Sequence, residues 1–201
     1  MAKKLRENPI YIAPDILGKI DEMGFPEVID ERNNDRQLDP NTIEHKIIIY
    51  ERQVMDWFLN PATNLIRYRN KNKGFIVLMI CLSYFEGVEQ YRIGQTSNNG
   101  RSAQFFIAAV NRLYPLHFQE HQLRSLYHEA RCGLFHNGMV NGRIIINNEF
   151  EHSLQFQDED IMVNPKLLLT DIKNDFQNYL TELRNNEQLR NNFNRMYSNV
   201  N

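Results

Sequence analysis

The chain has 201 residues, of which 42% are hydrophobic and 24% charged. That length suits one medium domain, with or without appendages, burying roughly 70% of its unfolded-chain surface. Nine glycines, seven prolines, 12 Phe and 9 Tyr exclude collagen-like, low-complexity and wholly disordered chains. Two cysteines, Cys81 and Cys132, cannot build a disulfide framework, so a reducing compartment is expected. The opening MAKKLRENPI lacks the apolar stretch of a secretory signal. The longest apolar run, Phe75 to Phe85, is interrupted by Ser83 and falls far short of the ~20 residues that span a bilayer. The expectation is a soluble, cytoplasmic protein.

Net charge is −2, which argues against indiscriminate coating of nucleic acid, but the charge is unevenly spread. Residues 1–90 hold 12 Lys/Arg and 14 Asp/Glu, whereas residues 91–143 hold 6 Arg, no Lys, and only Glu120 and Glu129. Residues 144–201 return to an acidic balance of 5 basic against 9 acidic residues. The middle is an arginine-only island that also carries four of the six histidines. Guanidinium groups suit bidentate phosphate contact better than ammonium groups do. Scattered surface arginines would give the same count.

In chain order, Pro14 to Met23 reads as a short helix with Ile16, Leu17 and Ile20 on one face, and Gly24 to Asp39 as a polar, acidic loop. Residues 1–39 are thus an N-terminal helix and linker. Asp39-Pro40 resembles a helix start. Ile43, Ile47, Tyr50, Val54 and Phe58 follow at helical spacing until Asn60-Pro61 ends the run. A basic connector, Arg67 to Lys73, leads into Phe75–Tyr91, apolar all round in its first half as a central buried helix is. Asn98-Asn99-Gly100 reads as a turn, and Ser102 as the cap of a helix through Leu113, broken by Pro115. A further helix runs from about Gln119 to Phe135.

The pattern then changes. Asn141-Gly142, between Met139-Val140 and Arg143–Ile146, is a hairpin signal, and Ser153–Phe156 and Ile161–Val163 suit two more short strands. Asn164-Pro165 restarts a helix with Leu168, Ile172, Phe176, Tyr179, Leu180 and Leu183 inward. The Asn-rich tail, 185–201, reads as a loose amphipathic helix. The predicted fold is all-α: a helical bundle over 40–184 with a small β insertion at about 139–163, before the last core helix.

The segment YHEARCGLFHNGMV, Tyr127–Val140, carries Arg131 and His136 with four residues between them. A histidine titrating near pH ~6.5 can take and return a proton at neutral pH. A permanently charged guanidinium can stabilise a crowded, negative phosphorane. Neither role requires a metal, and no carboxylate cluster resembles a divalent-ion site. On a regular helix five residues subtend about 140°, so the pair does not share a face unless Gly133 loosens the turn or two copies of the helix meet across a dimer axis. A solvated arginine and a hydrogen-bonded helix-end histidine are the plain structural alternative. Arg112 and His117 share the spacing, but Pro115 between them marks a decoy.

His117-Phe118-Gln119-Glu120-His121 formally matches the HxxEH zinc-peptidase pattern. A third protein ligand does not stand out downstream, and Pro115 puts His117 at a helix start. Cys132 and Cys81 read as small packed thiols rather than nucleophiles. His128 lies about 80° from His136 on a helix and could flank the same groove. Asn137 could orient His136 or contact a phosphate, or could serve with Gly138 only to end the helix.

RCGLFH on a late helix resembles the Rx4–6H signature of the HEPN superfamily. The long apolar helix before it (FIVLMICLSYFEGVEQY), the NG turn after it and the restart MVNPKLLLTDIKNDFQNYLTEL strengthen the likeness, which covers roughly 40–184. The resemblance implies a HEPN-like helical bundle that forms a homodimer, with the Arg and His of both subunits lining one cleft. It implies a metal-independent endoribonuclease, needing no cofactor, in which the RNA 2′-hydroxyl attacks its own phosphate and leaves a 2′,3′-cyclic end. His136 would transfer the proton and Arg131 would clamp the phosphate, with Asn137 and His128 in support. Arg124 and Arg143, from the arginine island, are expected to contact RNA. The family recurs in toxins and phage defence, which implies an antitoxin or other regulatory protein as partner. Active members often carry a polar residue where Cys132 stands and a tyrosine where Gly138 stands. Inactive members serve as dimerisation or nucleotide- and RNA-binding modules.

Overall fold

Turn chemistry shapes the first forty residues. Asp15 adopts φ 56° after Pro14, folding β1 (Ile10–Ala13) back on β2 (Ile16–Ile20). The Asp21 carboxylate accepts from the backbone N–H groups of Met23 and Phe25, at 2.9 and 2.8 Å, and reverses the chain into β3 (Pro26–Asp30). Asn34 and Asp35, both at φ 55°, turn it again into β4 (Arg36–Leu38). The four strands pair antiparallel in sequence order. Asx side chains and left-handed residues set these reversals, where helical spacing had suggested a helix at 14–23 and polarity a loop at 24–39.

The computed structural model describes residues 5–67, 73–98, 100–140 and 142–200, with the side chains of 198–200 left aside. It is mixed α/β, 59% helical and 15% strand, so the all-α expectation is corrected. The N-terminal sheet buries Ile12, Ala13, Ile16, Val28 and Leu38 against Ile49 of α1 (Ile43–Val54). Polar clamps fix this docking: Gln53 Nε2 donates to the Ile12 carbonyl at 2.8 Å, and the Arg52 guanidinium meets the buried Asp30 carboxylate at 3.2 Å.

The helix after α1 does not stop at Asn60-Pro61. A π turn, Met55–Leu59, passes directly into α2 (Asn60–Arg67). The Asn60 N–H reaches the Met55 carbonyl, and Pro61, with no N–H to give, takes the next position. The wide turn thus absorbs the proline. The connector at 68–72 lies outside the described residues, as does Asn99 of the expected turn before α4.

Around α3 (Gly74–Ile93) pack α4 (Ser102–Leu113), α6 (Pro165–Asn185) and α7 (Glu187–Val200), while α5 (Glu120–Leu126) packs on α4. Val77, Leu78, Cys81, Leu82 and Phe85 of α3 are wholly buried, the packing its apolar run predicts. An ionic knot crosses this core. Arg112 of α4 binds Asp175 of α6 and, at 3.2 Å, Glu89 of α3, while the Tyr84 hydroxyl donates to Asp175 at 2.6 Å. The Asn-rich tail is a packed helix, with Phe193, Met196 and Tyr197 buried.

The second sheet holds β5 (Ile144–Ile146), β6 (Leu154–Gln157) and β7 (Asp160–Val163) in the order β5-β7-β6. Strands appear where 153–163 predicted them, but the hairpin expected at Asn141-Gly142 does not form. Asn141 lies outside the described residues, Met139 and Val140 are in no strand, and β5 pairs parallel with β7, Ile144 opposite Ile161. The Asn164 side chain then accepts from the N–H groups of Lys166 and Leu167, at 3.0 and 3.1 Å, capping α6 with Pro165 in its first turn.

Candidate active site

Arg131 and His136 lie in an unusual helix. From Tyr127 to Asn137 the backbone continues α5 as a π-helix of 11 residues, closed by Gly138 at φ 70°, whose N–H bonds to the Gly133 carbonyl five residues back. Bonding from i+5 to i widens the turn to roughly 4.4 residues, so positions five apart subtend roughly 50° rather than about 140°. The π winding extends through the whole motif, and by that spacing positions 131 and 136 stand closer to one face of the helix than regular α winding would set them. Runs of this kind are rare and concentrate at functional sites.

The two side chains are held differently. Arg131 is one-fifth exposed, and its Nη2 donates to Glu86 Oε2 of α3 at 2.8 Å. The other Glu86 oxygen accepts from Ser97 Oγ at 2.5 Å. The guanidinium carbon lies 5.6 Å from the Tyr127 ring centre and 4.9 Å from that of Phe135. Two rings and one carboxylate thus hold a planar cation, which ammonium would not match. His136 is exposed and carries no hydrogen bond to the described residues, so its imidazole is open to a ligand.

Asn137, next to His136 in the chain, is exposed, and so is His128, whose ring lies 5.3 Å from that of Tyr127. Cys132 is half-buried against the main core. Burial first, and then the neighbouring Cys132 thiol, raises the Tyr127 phenol above its ordinary value. Cys81 is buried, and burial pushes its thiol up as well. Cys81 therefore packs as a small apolar group, while Cys132 stays partly exposed at the edge of the core beside Tyr127.

The other candidates separate. Arg124 bonds the Glu120 carboxylate at 2.5 Å in an exposed i,i+4 pair, and Arg143 meets Glu129 at 3.2 Å. His121, Arg124, His128 and His136 are all exposed along α5 and its π continuation. His117 lies in the turn before α5, and its Nδ1 is 3.0 Å from the Pro115 carbonyl. The HxxEH residues therefore do not share one helix face, and no group of three or more metal-ligating side chains forms among the described residues. Arg112 sits in the ionic knot, not beside His117.

The parts that Glu86, Ser97, Tyr127 and Phe135 play around Arg131 carry no motif in the sequence. Glu86 and Glu89 are the acidic breaks in an otherwise apolar α3, the available signal for a buried cationic partner. No helix among the described residues is long and apolar enough to cross a membrane. Comparison of the chain with protein-family models, with curated proteins and with solved structures finds no match in any of the three.

Proposed function

We propose that the chain is a metal-independent endoribonuclease of HEPN type, working in the cytoplasm as a homodimer in which the Arg131–His136 couples of two copies line one cleft. The observation that supports this reading is the π winding over Tyr127–Asn137, whose spacing sets positions 131 and 136 roughly 50° apart around the helix. His136 takes the 2′-hydroxyl proton and returns one to the leaving 5′-oxygen, while Arg131 stabilises the phosphorane between those steps. Asn137 and His128 border the same surface, and Arg124 and Arg143 follow the RNA backbone. A toxin or phage-defence role, with a regulatory protein as partner, belongs to the same proposal.

Incubation of mixed RNA with the wild type and with His136→Ala tests it. Acid–base catalysis is worth roughly 10²–10⁴ in rate, so the variant should lose nearly all cleavage at an unchanged melting temperature. The wild-type products should end in 2′,3′-cyclic phosphate, with or without EDTA. Equal rates for the two proteins would sink the proposal.

One observation favours a second reading, a silent dimerisation or RNA-binding module: the Arg131 charge is already matched by Glu86. That module retains RNA without cutting it, and Arg131 substitution leaves no cleavage to lose.

A further inference from the structure

A polar concavity, of about 620 Å³, lies between the α4–α5 turn, β6 and α6. The least exposed charged side chain on its lining is Asp171 of α6. The Tyr114 hydroxyl donates to Asp171 Oδ2 at 2.6 Å, and Ser153 Oγ donates to the same oxygen. Both donors converge on one oxygen, leaving Oδ1 to accept from a ligand. Burial, and then the bond to Asp171, pushes the Tyr114 phenol far above its ordinary value, so it remains a donor. The lining holds a second carboxylate, Glu151, with His117 and His152, and among the described residues neither lysine nor arginine. Phe118 and Phe156 form an apolar wall, ring centres 5.2 Å apart and planes inclined at 62°.

Two carboxylates on the lining disfavour a phosphate here and favour the opposite sign. A half-buried carboxylate with no counter-ion among the described residues gains most from a cationic donor, and aromatic faces attract a cation that has shed part of its hydration. We propose that this concavity binds an organic cation, a guanidinium or primary ammonium on a flat or alkyl body, with its N–H groups on Asp171 and its body against Phe118 and Phe156. The site lies at the far end of the α5–π helix from His136 and is independent of the ribonuclease reading.

Calorimetric titration of the full chain with agmatine and with a capped arginine amide tests this. Agmatine should bind the wild type and His136→Ala equally. Asp171→Asn keeps an acceptor for Tyr114 and Ser153 but removes the charge, and should weaken binding at least about tenfold. Thr170→Lys, an exposed change on the lining, should abolish binding at an unchanged melting temperature, which keeps the test valid if Asp171→Asn folds poorly. Binding of agmatine alone marks a free amine as the source, and binding of both marks an arginine side chain. Absence of heat with either cation at millimolar concentration, wild-type affinity in Thr170→Lys, or tighter binding of neutral guanosine would overturn the proposal.

Discussion

Arg131 shows how one side chain can be fixed and still be useful. Its contacts with Tyr127, Phe135 and Glu86 remove rotamer freedom before any substrate arrives, and that lowers the cost of ordering a phosphate clamp. Glu86 also partly cancels the charge the clamp needs. Glu86→Gln keeps a hydrogen-bond acceptor while deleting the negative charge. RNA cleavage by this variant should rise several-fold, with a melting temperature lowered by the loss of a charge-assisted bond worth about 1–3 kcal/mol. A rate that falls in step with stability would show that Glu86 only positions the guanidinium. Spacing made Arg131 and His136 visible in the sequence. Their surroundings were not, because Glu86 and Ser97 are remote in the chain and converge only when α3 packs on the π-helix.

At the scale of elements, the π winding is the feature on which the site depends. It ends at Gly138, where φ is 70° and a Cβ would meet no atom within 4 Å. Gly138→Val therefore imposes backbone strain without collision, on the order of 1–2 kcal/mol for a left-handed L-residue. Strain should fray the end of the helix that carries His136. Cleavage is expected to drop by at least an order of magnitude while most of the far-UV helical signal persists, and full activity would detach catalysis from this winding. Helical periodicity revealed α1, α3, α4 and α6 in the sequence, and Asn164-Pro165 revealed a cap. It did not reveal π turns, since an i, i+4 apolar pattern tolerates a local widening. The NG signal failed because β5 finds its partner in β7, beyond an intervening strand.

Across the whole molecule, tyrosines are concentrated in the helical core. Burial raises the phenols of Tyr50, Tyr84, Tyr179 and Tyr197, and holds Tyr91 at about 12. An unfolded chain releases these protons near pH ~10, whereas the folded chain keeps them. Their contribution to stability is fully present below that pH and declines as pH rises toward the folded values. A titration followed at the phenolate absorbance should show these tyrosines ionising together with the loss of helical signal above pH ~10, and early, separate ionisation in a still-folded chain would contradict their burial. The N-terminal sheet was the part of the whole least legible in the sequence, since its short strands carry three tight turns and little alternation.

That sheet has its own small core, closed by local hairpins and joined to α1 and the turn after it through Ile48, Ile49, Arg52, Gln53 and an Arg32–Asp56 ion pair at 2.8 Å. A region with a separate core, tied to its neighbour mainly by polar clamps at one helix, can open at a lower free energy than the larger core beside it. Heating should therefore peel this N-terminal layer first and leave the tyrosine-rich helices standing, a two-step melt in which the protein sheds its coat before it loses its frame.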